Sequence, residues 1–412
     1  MKSLFLMAMR NITRNKRRSF LSALAIFLAV FMIVFFYAFT NGMFGSMKKN
    51  VKMSDTGDIK ISQKEYIKKE TVSPLLYSIT DYEKIIQETE AIQGVKVATP
   101  RIKFPVLLSK DDKNFSLFGM AIDPQKEKVF NPLYKQIQEG SYLSADKKEI
   151  LIGEGVAKQL EVKVGDSLTL LVKTKYESIG IKSFKIVGIF NYGMPTLDNH
   201  YFFVNLKYGQ KLLRMKKQVT EILVMTEKGK IKEIANQIDN KILQKYSSDY
   251  TAQTWFKQKN YFTMINLATV VYTYVYLIFV LLASLVIINT MLMVIYERYK
   301  EIGVMRAMGL QKKEVLITFL MESGVLSFFG SLAGVLAGAI LLLALSNTGI
   351  NLMAMAGKTM ESFSVDTIIY LNLSVKNLIF SFLLGFLLPI SFVYIPLRKI
   401  FKINIVDSLR HL

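Results

Sequence analysis

The stretch NTMLMVIYERYKEIGVMRAMGLQKKEVLITFLMESGVLSFFGSLAGVLAG, residues 289–338, decides the fold. It is two apolar runs joined by a charged island at 297–314, where Arg298, Lys300, Arg306, Lys312 and Lys313 stand among Glu297, Glu301 and Glu314. Hydrocarbon cannot hold such an island, and each flanking run is long enough to span a bilayer, so the island must lie at one membrane face. Within it Ile302, Met305, Met308 and Leu310 are interleaved with Glu301, Arg306 and Gly309. That is the pattern of a short amphipathic helix ending at a glycine, able to lie on the membrane or dock into another protein.

Working outward, uncharged stretches occur at 19–47, 260–296, 323–357 and 377–397. Each reaches the roughly 20 apolar residues that a membrane helix needs. Four spans result, with a large polar insert between the first two. The bulk numbers agree: 412 residues that are 51% hydrophobic, with mean hydropathy +0.29, yet 21% charged, require segregation of apolar from charged sequence.

The formal charge of +21 is divided almost equally. Residues 41–263 hold 36 basic and 25 acidic side chains; the rest of the chain holds 17 and 7. Most of the latter basic residues flank the spans: Arg10, Arg14, Lys16, Arg17 and Arg18 before the first, the island, and Arg398, Lys399, Lys402 and Arg410 after the last. By the positive-inside rule both termini and the island are cytoplasmic and the insert is outside. No aromatic-interleaved basic motif points to nucleic acid. With no cysteine there are no disulfides or thiolate metal sites, and His200 and His411 are too far apart in sequence to suggest a metal site.

The expected organisation is an amphipathic cytoplasmic elbow helix at 1–18, a first span at 19–40 and an extracytoplasmic α+β domain at 41–263. A second span with a stalk follows at 264–296, then the island at 297–314, a third span at 315–346, an outer loop at 347–374, a fourth span at 375–397 and a cytoplasmic tail at 398–412. The run at 20–39 is too long for a typical signal-peptide core and lacks an obvious A-x-A site, so it is read as a retained span. The 37 uncharged residues at 260–296 would measure about 55 Å as a helix, more than a bilayer core of about 30 Å. Tyr272, Tyr274 and Tyr276 near its start fit an interfacial belt or simple packing.

In the insert, strands are expected at 58–62, 95–98, 104–109, 115–122, 149–152, 167–172, 184–189 and 222–226. Helices are expected at 81–91, capped by Thr80, and at 156–160, 206–215 and 230–246. Gly165-Asp166 reads as a turn rather than a catalytic position. Gly330, Gly334 and Gly338 share one face of the third span and allow close approach of another helix. Glu322, near the cytoplasmic end of that span, is expected to pair with an island Arg or Lys. The chain contains no G-x-x-x-x-G-K-[ST], G-x-S-x-G, H-E-x-x-H or C-x-x-C.

The run ERYKEIGVMRAMGL, the glycine-spaced helix after it, the elbow MRNITRNKRRS, the phrase ILIGEGVAKQLEVKVGDSLTL at 150–170 and the closing PLRKIFKINIVDSLR resemble the MacB/FtsX-like ABC transporter permeases. This resemblance implies a membrane protein of four transmembrane helices with a MacB-type periplasmic core domain. The chain would be no enzyme itself, carrying no cofactor; ATP and Mg would sit on a separate cytoplasmic ABC ATPase dimer. A second permease chain, identical or paralogous, would complete the complex in the cytoplasmic (inner) membrane. The island would be the coupling helix, with Glu297, Glu301, Ile302, Gly303, Arg306, Ala307 and Gly309 forming the ATPase contact: Glu301 and Arg306 through charge-assisted bonds, Ile302 by filling a pocket.

The insert size, together with FKIVGIFNYGMPTLDNHYFFVNL and TWFKQKNYF, resembles the lipoprotein-releasing permeases of LolC/LolE type. That subgroup implies release of lipoproteins by mechanotransmission, with acyl chains entering beside Phe36, Phe39, Met264, Leu267 and Val271 and cargo passing to a periplasmic carrier. Two alternatives stand beside it. In MacB-like efflux of a peptide, drug or toxin, the ATPase is usually fused ahead of the first span; in FtsX-like signalling, a cell-wall hydrolase is activated across the membrane.

Overall fold

A computed structural model describes residues 2–70, 74–110, 113–193, 195–227, 229–351 and 368–400. The outer loop expected at 347–374 and the tail at 398–412 lie largely outside the described residues. The chain forms two compact units, one of residues 1–44, 268–350 and 369–412, the other of 45–267 and 351–368.

Helix α1, Lys2–Arg14, carries the elbow, and a break at Asn15 separates it from α2, Lys16–Val51. The Ser19 hydroxyl donates to the Ile12 carbonyl at 3.2 Å across that break. At 36 residues, α2 measures about 54 Å, longer than a bilayer core. The boundary expected at residue 40 therefore falls inside a helix. No proline interrupts 41–51, and glycines at 42 and 45 tax a helix without stopping it. A five-residue π-helical turn, Lys52–Thr56, ends the run.

The second unit is built on a ten-stranded mixed sheet. Its strands are β1 (Ile59–Gln63), β2 (Val95–Lys110), β3 (Lys113–Ile122), β4 (Ile137–Gly140), β5 (Glu149–Gly153), β6 (Ser167–Lys173), β7 (Ile179–Phe190), β8 (Tyr201–Asn205), β9 (Glu221–Thr226) and β10 (Tyr250–Thr254). The order is β10-β1-β9-β2-β3-β8-β5-β7-β4, with β6 paired to β7; β3/β8 and β5/β7 are parallel. Alternation divides the strands by face. Ile59 and Ile61, Ile102 and Phe104, and Ile222 and Val224 enter one large apolar core. Lys60 and Ser62, Arg101, and Glu221 occupy intervening positions and are buried too.

Here the structure departs from sequence expectation in instructive places. The two strands expected at 95–98 and 104–109 are one, because Pro100 and Pro105 have the restricted φ of an extended chain and sit opposite Ile222 and Phe118. Thr80 does not cap the helix Tyr82–Glu90; its backbone N–H bonds the Tyr250 hydroxyl at 3.0 Å, and Asp81 precedes the helix in the left-handed region at φ 51°. A helix not among those expected runs over Pro124–Phe130, where the Asp123 carboxylate accepts from the N–H groups of Gln125 (2.9 Å) and Lys126 (3.3 Å). Asp166 has the expected turn role: its carboxylate accepts from Lys163 N–H at 2.8 Å while Gly165 holds φ at 103°.

The membrane unit continues with α3 (Lys259–Glu297), α4 (Tyr299–Ala307), α5 (Lys312–Thr348) and α6 (Val375–Ile400). Among the described residues four helices are long and apolar enough to cross a membrane: α2, α3, α5 and α6. α5 lies against α2 through its glycine face. A Cβ at Gly330 would come within 2.8 Å of the Ala23 carbonyl oxygen, one at Gly334 within 2.7 Å of the Phe27 carbonyl oxygen, and one at Gly338 within 2.8 Å of Val34. Only bare backbone permits that approach.

Candidate coupling site on the charged island

The island is folded by local signals. α4 ends at a glycine in the left-handed region, Gly309 with φ 96°. A capping box then starts α5: Gln311 is its N-cap, and the Glu314 carboxylate accepts from Gln311 N–H at 2.8 Å. Two helix ends are thus closed within a few residues, which sets α4 as a short bracket between α3 and α5.

Arg298 anchors the bracket. It is 1% exposed, although it stands next to the charged and solvent-facing Glu297. Its Nε donates to Glu301 at 2.7 Å, its Nη1 pairs with the buried Glu322 of α5, and its guanidinium lies 4.7 Å from the centre of the Phe319 ring. The pairing expected for Glu322 is therefore made, by Arg298. Arg14 of α1 approaches Glu301 from the other side at 3.4 Å. Burial works against ionisation of Glu301, yet the Arg298 hydrogen bond and the charges of Arg298, Arg14 and Arg18 hold its carboxyl below the usual range.

The residues expected to meet a partner divide accordingly. Glu297, Ala307 and Gly309 are exposed, and Arg306 is half-buried. Gly303 is buried. Ile302, expected to fill a partner's pocket, is 1% exposed and packs with Ile295, Met305, Val315 and Phe319, so that expectation is corrected. The helical period turns it inward, and Val304 and Met308, 45% and 66% exposed, take the outward apolar positions one turn apart. Their i, i+4 spacing was the available signal. Glu301 is likewise committed to intramolecular pairs.

On the opposite half of the spans, Phe36 of α2 stacks on Phe279 of α3, with ring centres 3.6 Å apart, and Phe39 stacks on Phe35 at 6.3 Å. Leu267 and Val271 are exposed along α3; nothing is described of the Met264 side chain. Tyr276 is a packing residue, edge-on to Tyr37 and 3.4 Å from Asn377, whereas Tyr274 faces outward. Among the described residues no cluster of three or more His, Cys, Asp or Glu could hold a metal ion.

Four helices long and apolar enough to span a bilayer, a helical bracket between the second and third, and a large mixed domain inserted after the first mark a polytopic membrane protein. Residues 19–241 match the MacB-like periplasmic core domain and residues 273–405 the FtsX-like permease C-terminal domain, so the chain belongs to the MacB/FtsX-like family of ABC transporter permeases. An uncharacterised ABC transporter permease of Methanocaldococcus jannaschii is 29% identical over 306 residues, 73% of this chain and 71% of its own length. The lipoprotein-releasing transmembrane protein LolC of Neisseria meningitidis is 22% identical over 277 residues, 64% of this chain and 65% of its own. Among solved structures, the periplasmic region of MacB from Actinobacillus actinomycetemcomitans aligns with 53% of this chain and 97% of its own length, at 12% identity and TM-score 0.37.

Proposed function

We propose that this chain is the membrane subunit of an ATP-driven complex that releases lipoproteins from the outer leaflet of the cytoplasmic membrane. In this reading both termini and the island are cytoplasmic, which the clustering of Arg and Lys beside the spans supports. A separate ABC ATPase binds the outward face of α4, and a second permease chain completes the membrane part. The observation that carries the reading is the island's geometry: Val304 and Met308 face out, the basic residues Arg306, Lys312 and Lys313 are close to them in sequence, and Arg298 fixes the same helix to α5. A push on that face is delivered to a spanning helix instead of being lost in a loop. The similarity to LolC supports lipoproteins as the cargo class, and the apolar outer half of α3 suits acyl chains.

Arg306→Glu tests the docking face. The ATPase is expected to be lost from the purified complex while the permease remains membrane-inserted with unchanged thermal unfolding. Retention of the ATPase by this variant and by Val304→Asp would remove the island from the contact.

A further inference from the structure

The first and last strands of the insert meet at one sheet edge. β1 follows the end of α2, β10 precedes α3, and the two strands are paired with Ile59 opposite Thr254. Around this edge the Trp255 N–H donates to the Asp58 carbonyl at 3.1 Å, and the ammonium groups of Lys48 and Lys52 lie 5.9 and 6.0 Å from the Trp255 ring centre. The helix does not fray into a linker. It passes into the π-helical turn Lys52–Thr56, whose carbonyls cannot all keep regular helical partners.

Arg101 takes two of those carbonyls. From β2 its Nη1 donates to Ser54 O at 2.6 Å and its Nη2 to Met53 O at 3.1 Å, while Nε bonds Glu127 at 3.2 Å and Nη2 pairs with the same carboxylate. Arg101 is 1% exposed and Glu127 0%. The guanidinium also lies 5.0 Å from the Phe130 ring centre. In the same turn Asp55 is held by Lys103 at 2.9 Å and by Lys60 at 3.7 Å, and Lys60 continues the network to Glu221 at 3.1 Å.

A buried ion pair of this kind adds little net stability, because desolvation offsets attraction; apolar residues of similar volume often serve folding equally well. What it supplies is geometry. A planar guanidinium that grips one carboxylate and two backbone carbonyls leaves the turn a single seat. We propose that Arg101, positioned by Glu127 and seconded by Asp55, is the joint that locks the outer end of α2 to the sheet, so that helix motion reaches the outer domain undamped. The proposal rests on the reading of this chain as a transmitter of ATP-driven motion.

The chain has no cysteine, so paired spin labels can be introduced without background. Lys49→Cys at the end of α2 and Lys96→Cys on β2 are both exposed. In the full chain in lipid nanodiscs, the unmodified joint is expected to give one narrow distance distribution between these labels, with and without the bound ATPase and ATP. Arg101→Met with Glu127→Met should broaden it about two-fold while the thermal transition of the domain stays within a few degrees. Arg101→Lys, which keeps the charge and loses the fork, should give an intermediate width and guards against misfolding of the double variant. Widths equal to the parent's in both variants would overturn the joint. Failure of the parent to retain any ATPase would instead overturn the functional reading and leave the width comparison interpretable.

Discussion

Removal of Arg298 is the sharpest perturbation of the bracket. Arg298→Met leaves Glu322 with a buried carboxylate and no cationic partner, and breaking a buried pair in this way costs about 3–5 kcal/mol. The contact with Phe319 adds about 0.5–2 kcal/mol. Glu322→Leu alone costs less, because Arg298 still donates to Glu301 at 2.7 Å. The double variant Arg298→Met/Glu322→Leu removes both desolvation penalties together, so it should lie well above the sum of the singles, with a coupling energy of about 2–4 kcal/mol. Unfolding of the four proteins by detergent titration measures this cycle. Additivity within about 0.5 kcal/mol would refute the claim that the pair is what joins α4 to α5.

Three further outcomes are expected. Gly334→Ala should destabilise the membrane unit by about 1–3 kcal/mol, because its Cβ meets a backbone oxygen that cannot yield, whereas Gly324→Ala, whose Cβ would meet only Ile390 at 3.8 Å, should stabilise by about 0.5–1 kcal/mol; thermal unfolding of the pair distinguishes them. Burial, and then the nearby Asp55 and Glu70, push the Glu221 carboxyl up against the pull of Lys60. Its protonated form therefore favours folding, so stability from this group is complete below the ordinary value of 4.5 and is lost as pH rises through the elevated one; Glu221→Gln should flatten that decline in pH-resolved melting, and an unchanged slope would count against it. Arg306→Glu should abolish ATPase retention without unfolding the permease.

The hydrophobic runs were legible as four helices able to cross a membrane, because about 20 uncharged residues have few alternatives to a span. The glycine face of α5 was readable from its spacing, but its partner, α2, was not, since a bare face specifies closeness and not identity. Glu322 could be assigned an ion pair from its depth alone, while the choice of Arg298 over Arg306 or the island lysines depended on where the helix period places each residue. The expectation for Ile302 came from the family resemblance: sequence marks it as apolar on an amphipathic helix, and only packing tells whether such a face turns to the chain's own core or to a partner. Arg101 was invisible because it falls between the strands expected at 95–98 and 104–109, and its partner, Glu127, is 26 residues away on a different element.

In the function proposed above, an ABC ATPase works through this chain on an acylated cargo. Mass spectrometry of everything that co-purifies with it in mild detergent tests this most directly. An ABC ATPase, a permease partner and acylated lipoproteins are expected together. An ATPase accompanied by a cell-wall hydrolase or an efflux adaptor would contradict the cargo assignment, and the absence of any ATPase would contradict the coupling site itself.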